Sequence, residues 1–306
     1  MWHKTSKLSL AITLMMALAA VWFVAAPASA QDADGTEEPM EMEVDAYWDI
    51  EPMALAAFFG LDNQLPPPPQ PGICDESEGN DGLPVVFTHP IDVTTLDPED
   101  FELTSAEGNV STPICAILIP AVDPGENRTV LLVGEFGSAP DDEPVEVVVV
   151  GELLSTAETG AVDFNGASQE VVPLASGPSI VAAEVLPEDL WILDREGQIL
   201  VGSGCPSEGT LQIVRVRWDG GITKLDNVEV DDVEREQYMV TIEAEDGSTE
   251  EVVPFALGNL DDGDNNHDLC LDVEGTPVSV SFPAGFVTDP NNDLNPDTEA
   301  EITVLP

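Results

Sequence analysis

The densest group of possible ligand residues lies near the C-terminus, in the run Asn259-Leu-Asp-Asp-Gly-Asp-Asn-Asn-His-Asp-Leu-Cys-Leu-Asp272. From Asp262 onward, oxygen-bearing side chains recur at every second position. Alternating side chains of this kind can turn inward to one hard cation, and Ca²⁺ takes about six to eight oxygen ligands. The sequence therefore predicts a Ca²⁺ loop, with the candidate ligands Asp262, Asp264, Asn266, Asp268 and Asp272.

This run does not have the loop pattern of an EF-hand. That pattern needs Gly at the sixth position and a bidentate Glu at the twelfth. Counted from Asp262, those positions hold His267 and Val273. The hypothesis is therefore a Ca²⁺ loop between strands, as in extracellular modules, and the alternative is a solvated Asp/Asn turn.

A second acidic run follows, with oxygen side chains again at alternate positions. Pro290 and Pro296 make this run stiff and non-helical. If the two runs lie at the same end of a sandwich, they can share one ion. The alternative is a plain Pro-Asn-Asp turn. The candidate ligands in the second run are Asp289, Asn291, Asp293, Asn295 and Asp297.

No motif for catalysis is present in the sequence. His89 and His267 have no nucleophile at motif spacing, and there is no G-x-S-x-G, H-E-x-x-H or glycine-rich phosphate loop. A glycosidase-type carboxylate pair cannot be selected among 60 acidic residues. Trp48, Trp191 and Trp218 could form a platform for sugar stacking, with packing in the core as the alternative.

The charge balance restricts the possible partners. The chain has 8 Lys and Arg against 60 Asp and Glu, and its net charge is −52. So few cations cannot form a basic patch, which makes nucleic acid and anionic lipid poor partner candidates. Lys4 and Lys7 lie in the first thirty residues, and the other six basic residues are Arg128, Arg195, Arg215, Arg217, Lys224 and Arg235.

The acidic residues would repel one another on a compact body. At the surface area expected for a folded chain of this size, they lie roughly 14 Å apart. The Debye length is about 10 Å at 0.1 M salt and about 3 Å at 1 M. The composition therefore predicts a halophilic or marine setting, bound divalent cations, or both. Disorder is the alternative for such a charge, but 43% of the residues are hydrophobic, so we expect it only in an acidic leader over residues 31–45.

The first thirty residues have the pattern of a secretory signal peptide. Lys4 and Lys7 precede a long apolar run, and Ala28-Ser-Ala30 provides a small-x-small cleavage site. We expect cleavage after Ala30 and a secreted, periplasmic or cell-surface location. The alternative is an uncleaved anchor. No later run has this length, so we expect no membrane span after cleavage.

Four cysteines follow the predicted cleavage site. An even number in an exported protein favours two disulfides. Of the three possible connectivities, Cys74–Cys115 with Cys205–Cys270 keeps each bridge within one candidate domain. Four free thiols are the alternative, since no zinc-site spacing is present.

Tyr47 to Leu61 is the strongest helix candidate, because Pro52 lies in its first turn and Gly60 near its end. Pro66 to Pro69 is typical of a stiff polyproline connector. Residues 46–70 are therefore predicted to be a short helix and a connector.

From residue 71 onward the pattern is β. Runs rich in Val and Ile, bounded by Pro, Gly, Asp or Asn, predict a first β-sandwich over residues 71–160 and a second β domain with the acidic loops over residues 161–306. No clean internal repeat is visible. The predicted strands lie at 84–88, 101–104, 115–119, 129–136, 145–153, 179–185, 210–218, 237–243, 278–282 and 299–304.

Part of the first β region resembles a known family. The segments Val85-Val-Phe-Thr88, Ile91-Asp-Val-Thr-Thr-Leu96 and Asp97-Pro-Glu-Asp-Phe-Glu-Leu103 are similar to the opening of bacterial Ig-like domains of S-layer and other surface proteins. The resemblance covers about residues 83–153. It implies an immunoglobulin-like sandwich and a surface or adhesive setting, and it implies no reaction.

The sequence thus predicts an all-β fold: an Ig-like β-sandwich, a second β-sandwich-like domain and one short N-terminal helix. The leading hypothesis is a non-enzymatic exported protein with Ca²⁺-stabilised loops, in surface attachment, envelope structure or ligand binding. Its partner would be an unknown surface, glycan or protein. The first alternative is a secreted carbohydrate-active hydrolase with a carboxylate pair, and the second is a diffuse cation or mineral binder.

Overall fold

Short β-branched runs between Pro, Gly and Asn turns form strands along the chain. The computed structural model describes residues 51–68, 72–156, 160–198, 201–225 and 227–304. The predicted signal peptide, the acidic leader and Trp48 lie outside the described residues. Among the described residues, no helix has both the length and the apolar character needed to span a bilayer.

The N-terminal half carries one eight-stranded sheet, and its strands are ordered β4-β3-β7-β8-β1-β2-β6-β5. β1 and β8 pair in parallel, and they join two antiparallel parts of four strands each. The sheet curls around a core that takes residues from both parts, including Phe87, Leu132, Phe101 and Val147. Its strands are β1 Ala54–Phe58, β2 Asp81–Phe87, β3 Phe101–Ser105, β4 Val110–Ser111, β5 Cys115–Ile117, β6 Thr129–Gly134, β7 Pro144–Val149 and β8 Ser168–Val172.

The C-terminal half carries a second eight-stranded sheet, ordered β12-β11-β15-β16-β9-β10-β14-β13. Its core is centred on Trp218, whose ring has edge-on contacts with Tyr238 and Phe282. A short α-helix, α1 Asp232–Arg235, precedes β11, and a 3-10 turn, Glu188–Leu190, follows β9. The strands are β9 Ile180–Val185, β10 Gln212–Trp218, β11 Met239–Glu243, β12 Thr249–Val252, β13 Ala256–Gly258, β14 Asn266–Leu271, β15 Thr276–Phe282 and β16 Thr298–Val304.

The two halves share one topology, although the sequence shows no clean repeat. Each strand of the second sheet occupies the place of the strand numbered eight lower in the first sheet. The first and last strands of the second half, β9 and β16, also pair in parallel. The all-β prediction with two sandwich-like parts is confirmed. β8 belongs to the first sheet, so that sheet extends past the boundary predicted at residue 160.

The predicted helix over Tyr47 to Leu61 is wrong for the described residues. Ala54–Phe58 is strand β1, which pairs antiparallel with β2 and parallel with β8. Four of its five residues are buried. A strand between two partners buries this apolar run on both faces, and such tertiary pairing outweighs the helix propensity of Ala and Leu.

The acidic run near the C-terminus also contains a strand that the sequence pattern missed. Asn266–Leu271 is β14, which pairs with β10 and β13. All six of its residues are buried. Polar residues mask the β pattern of this strand, and two of them, His267 and Asp268, pair with side chains on other segments of the chain.

Both predicted disulfides are confirmed, Cys74–Cys115 and Cys205–Cys270. They occupy similar places in the two halves. Each joins the connection between the first and second strands to the fifth or sixth strand of the same half. The first bridge ties down the edge strand β5, whereas the second holds β14, which lies one strand in from the edge.

The disulfides give a first testable prediction. The double variant Cys205→Ala/Cys270→Ala should lower the free energy of unfolding by about 2–4 kcal/mol, because the unfolded chain loses a long covalent loop. Urea unfolding followed by tryptophan fluorescence measures the change. Cys74→Ala/Cys115→Ala is the matched variant and should show a loss of similar size. An unchanged urea midpoint in either variant would contradict this structural role.

Candidate functional site

Strand β10 presents different chemistry on its two faces. Val214, Val216 and Trp218 point into the core of the C-terminal half. The alternate residues Arg215 and Arg217 lie on the opposite face, and both are fully buried. Side chains alternate across a strand, so burial on both faces means that another part of the chain covers the arginines. That cover is the loop of residues 121–128, between β5 and β6 of the N-terminal half, which we call the clasp loop.

Arg215 lies at the centre of this contact. Its Nε and Nη2 donate to the two carboxylate oxygens of Asp268, at 2.7 and 2.9 Å. Its Nη1 donates to the carbonyl oxygen of Pro124 in the clasp loop, at 2.7 Å. The Glu126 carboxylate lies 3.6 Å from Nη2. Arg215 and Asp268 face each other on paired strands, so the bidentate pair is set by the register of the second sheet.

Arg217 makes a second link between the halves. Its Nη2 donates to Glu184 on β9, at 2.6 Å, and to the carbonyl oxygen of Gly125, at 2.9 Å. Arg128, at the end of the clasp loop, binds the other oxygen of Glu184 at 3.1 Å. Burial favours the neutral form of Glu184, but Arg217 and Arg128 outweigh it and hold the pKa of this carboxyl below its usual value.

The backbone of the clasp loop is shaped for this contact. Glu126 accepts a hydrogen bond from the backbone N–H of Asp123, at 2.7 Å. Gly125 has a φ of +84°, a conformation that side chains with a Cβ rarely adopt. A Cβ at Gly125 would also lie 3.3 Å from Nη1 of Arg215. The glycine therefore lets two successive carbonyl groups, those of Pro124 and Gly125, reach the two arginines.

A third arginine links the clasp loop to the connection between β9 and β10. Arg195 pairs with Asp123, and the same carboxylate accepts from the backbone N–H of Gly202, at 3.1 Å. Four of the six basic residues after residue 30 therefore lie at the contact between the two halves.

The loop of residues 259–265, between β13 and β14, lies against the clasp loop. It is the topological counterpart of the clasp loop in the second half. Both contain the pattern Asp-x-Gly-acid-Asn, at Asp123 to Asn127 and at Asp261 to Asn265, with glycine at positive φ in each. Asn259 donates from Nδ2 to Glu126, at 2.7 Å, so the two loops are in direct contact. We call residues 259–265 the acidic loop.

Carboxylates are crowded where these loops meet. Burial, with the nearby charge of Glu126, raises the pKa of Asp262 to about 7. Burial also raises the pKa of Asp264 well above its usual value, and Glu126 and Asp262 add to this effect. Burial raises the pKa of Glu126 itself, although Arg215 opposes the shift. Each negative group therefore lacks sufficient positive charge nearby.

The structure separates the predicted ligands of the acidic run. Asp262 and Asp264 lie in the acidic loop, whereas Asn266 and Asp268 lie on β14. Asp264 accepts hydrogen bonds from the backbone N–H and Nδ2 of Asn266, at 2.7 and 2.8 Å. Asp268 pairs with Arg215, and Asp272 lies exposed beyond the strand. Alternation along β14 places Asn266 and Asp268 on the same face of the strand. It does not direct their oxygens, together with those of Asp262 and Asp264, to a single ion.

The second acidic run mainly stabilises its own turn. Asp289 accepts from the backbone N–H groups of Asn291 and Asp293, at 3.0 and 2.8 Å. Oδ1 of Asn295 accepts from three successive backbone N–H groups, those of residues 285–287, at 2.9–3.0 Å. Asp297 caps Ala284. Within the described residues, no group of three or more His, Cys, Asp or Glu is arranged to hold a metal ion.

The two histidines among the described residues, His89 and His267, lie in the interior. His89 is buried beside Phe164. Nδ1 of His267 lies 2.7 Å from the hydroxyl of Tyr238, and burial lowers the pKa of His267 to about 3. Trp218 is in the core, and Trp191 donates from Nε1 to the carbonyl oxygen of Leu186. The rings of Trp191 and Trp218 are thus packed against other residues of the C-terminal half.

An apolar cavity of about 350 Å³ lies beside the Cys74–Cys115 disulfide. Leu65, Pro84 and Leu131 form part of its wall in the N-terminal half. Asp264 and Pro290 close it from the C-terminal half, so both acidic runs border the same space.

Sequence reasoning missed the residues that join the halves: Glu126, Glu184 and the arginines. One signal was available, because two of the only six Lys and Arg residues after residue 30 alternate within a Val-rich strand, at Arg215 and Arg217. A charge at that position of a strand must be either exposed or paired. The acidic residues that pair with them cannot be selected by type alone from a set of 60.

Comparisons with known proteins identify no family. No protein-family model and no curated protein matches the chain. Among solved structures, the chain is similar to the N-terminal part of the bacterial S-layer protein SbsC, at 12% identity and a TM-score of 0.26. The match covers 83% of this chain and 44% of that one, so the chain spans less than half of its length. These values establish neither a shared fold nor a shared function.

The buried ion pairs give a second prediction. Glu184→Gln should lower the free energy of unfolding by about 3 kcal/mol, because Arg128 and Arg217 lose their shared counter-charge inside the protein. The control is Asp232→Asn, which breaks a pair whose acid is 87% exposed and should change stability by less than about 1 kcal/mol. Urea unfolding at pH 7 compares the two. Equal effects would show that burial of the Glu184 pairs has no energetic consequence.

A third prediction concerns pH. Burial raises the pKa of Asp219 to about 7, above the value of about 4 for an unfolded chain. The folded state therefore holds its proton more tightly, and stability falls as pH rises from about 4 to about 7. Asp219→Asn should reduce this fall by on the order of 3 kcal/mol.

Thermal unfolding of both proteins in steps from pH 4 to pH 8 checks this prediction. Asn preserves the size of the side chain and leaves Oδ1 to accept from the backbone N–H of Ser179, as Asp219 does at 2.9 Å. Parallel pH curves for the two proteins would contradict it.

Proposed function

We propose that this chain is a non-enzymatic, exported β-sandwich protein that acts as a rigid structural element of a cell envelope or surface. In this role it presents its two halves in one fixed arrangement to a surface, glycan or protein. Divalent cations, Ca²⁺ first among them, stabilise the acidic regions near its C-terminus.

The observation that carries this proposal is the buried ionic contact between the halves. Contacts between domains of one chain are usually modest and polar, and relative motion is the default. Here Arg215 and Arg217 are fully buried. Each of them binds an acidic residue of its own sheet and also a carbonyl group of the clasp loop. Any hinge motion would expose or unpair these charges at a cost of several kcal/mol. An element that holds or spaces other components benefits from such rigidity.

Two further features support an extracellular setting. Both disulfides fit an oxidising compartment. The large excess of acidic residues fits a medium with abundant salt or divalent cations, where repulsion is screened.

The alternatives make different demands on the same residues. A retaining or inverting glycosidase needs two carboxyl groups about 5 to 9.5 Å apart that flank a substrate. The carboxylates that crowd together here, Glu126 and Asp264, are buried at the contact between the halves. A diffuse cation binder would use the exposed acids and bind many ions weakly.

The fourth prediction tests the role of cations. Removal of divalent ions with EDTA in dilute buffer should lower the melting temperature by about 2–8 °C relative to about 5 mM CaCl₂, because an ion that binds only the folded state stabilises it. NaCl at matched ionic strength controls for screening. Calorimetric titration with CaCl₂ should give one or two sites. Many weak sites would favour the diffuse binder, and an unchanged melting temperature would contradict cation stabilisation.

A further inference from the structure

We propose that the acidic loop binds one Ca²⁺ ion where it meets the clasp loop, with Oδ1 of Asn259 and the carboxylate of Asp262 as its central ligands. This inference rests on the proposed function and assigns its cation to one place. Of the two ligands, Asp262 is among those predicted from alternation along the chain and Asn259 is not, while the predicted ligands Asn266 and Asp268 belong to β14.

The first observation is a buried acceptor that has no donor. Asn259 is 1% exposed, and its Oδ1 accepts no hydrogen bond within the described part of the chain. The orientation of this amide is set by its surroundings. Its Nδ2 donates to Glu126, at 2.7 Å, and to the carbonyl oxygen of Asn266, at 3.5 Å. Both partners accept hydrogen bonds, so the amide cannot turn its oxygen toward them and Oδ1 must face the opposite side.

The second observation is that another oxygen points to the same place. A Cβ built on Gly202 would lie 2.4 Å from Oδ1 of Asn259 and 2.5 Å from Oδ2 of Asp262. The two oxygens therefore approach one side of Gly202, where only a residue without a side chain fits. Two acceptors that converge on one space require a donor or a cation between them.

The surrounding charge favours a cation. Glu126, Asp123 and Glu229 are close enough to act electrostatically on Asp262. Asp264 is buried in the same loop and is hydrogen-bonded to Asn266. The nearby positive charges, Arg195 and Arg215, already pair with Asp123 and Asp268. A divalent ion would supply the missing charge between the two loops.

The donor set fits Ca²⁺ among the divalent ions. Carboxylate and amide oxygens are hard ligands, and Ca²⁺ accepts irregular sets that water completes, whereas Mg²⁺ requires near-octahedral geometry. Because no three acids in the described part of the chain are arranged to hold a metal ion, the amide oxygen of Asn259 is an essential member of the ligand set. Few protein ligands imply modest affinity, with a dissociation constant on the order of 10⁻⁴ to 10⁻³ M, as in extracellular modules.

Such an ion would also connect the halves. The acidic loop belongs to the C-terminal half, while Glu126, which orients Asn259, belongs to the clasp loop of the N-terminal half. Ca²⁺ would therefore strengthen the same contact that the arginines form.

The test compares Asp262→Asn with Asp261→Asn in the purified full-length protein. Each variant removes one negative charge from the same loop. Asp261 is exposed and its carboxylate faces Gly197 instead of Gly202, so it is the matched control. Calorimetric titration with CaCl₂ measures affinity, and thermal unfolding with CaCl₂, MgCl₂ or NaCl at matched ionic strength measures selectivity. Circular dichroism verifies that each variant is folded.

The expected result is Ca²⁺ binding at least about tenfold weaker in Asp262→Asn and changed less than about threefold in Asp261→Asn. Ca²⁺ should also raise the melting temperature more than Mg²⁺ does. Equal stabilisation of the wild type and Asp262→Asn by Ca²⁺ would overturn this site and leave cation stabilisation standing elsewhere. Absence of any Ca²⁺ effect on the wild type would overturn both. Equal stabilisation by NaCl would show that only screening is involved.

Asn259→Leu gives a second, independent test, since it removes the amide oxygen without changing the charge. It should weaken Ca²⁺ binding as Asp262→Asn does. If this variant does not fold, Gly202→Ala replaces it, because a methyl group there would occupy the space that the two oxygens face. Unchanged Ca²⁺ affinity in a folded variant of either kind would overturn the assignment.

Discussion

The arrangement of the two halves depends on one buried ionic contact, in which Arg215 and Arg217 on β10 meet the clasp loop. Charges inside a protein are costly unless each is paired and hydrogen-bonded. Here the acids Asp268 and Glu184 come from strands next to β10, and the carbonyl groups of residues 124 and 125 come from the other half. The second sheet therefore cannot satisfy its own arginines. The contact specifies how the halves fit together more than it adds to the net free energy of folding.

Because basic residues are so scarce, those that lie at this contact leave little positive charge for the acidic loop. Four of the six after residue 30 lie between the halves, and Lys224 and Arg235 serve the region around α1. The crowded carboxylates of the acidic loop are left with little positive charge. In most proteins a lysine or arginine would balance such a group. We propose that in this chain an ion from the medium takes that place.

The contact between the halves is formed by loops that hold equivalent positions in the shared topology. The clasp loop and the acidic loop connect equivalent strands and keep the same Asp-x-Gly-acid-Asn pattern, and they now touch each other. Their roles differ because of neighbouring residues. Pro124 and Gly125 direct carbonyl groups to arginines, whereas Asp262 and Gly263 place a further carboxylate beside Asn259. Loops in equivalent positions thus differ in role: the clasp loop offers carbonyl acceptors to the arginines, and the acidic loop holds crowded carboxylates.

The sequence by itself determined the β class, both disulfide pairs and most strands of the two sheets, because β-branched runs, turn residues and cysteine spacing act locally or within one half. Only the tertiary structure decided that Ala54–Phe58 is a strand, since its pairing with β2 and β8 overrides the helix propensity of its residues. The same holds for β14, in which His267 and Asp268 pair with the distant residues Tyr238 and Arg215. The tertiary structure also decided that Glu126, Glu184 and Asn259 are buried at the contact between the halves, although the chain has many side chains of the same types. Burial and pairing depend on which segments meet in space, and short-range patterns do not contain that information.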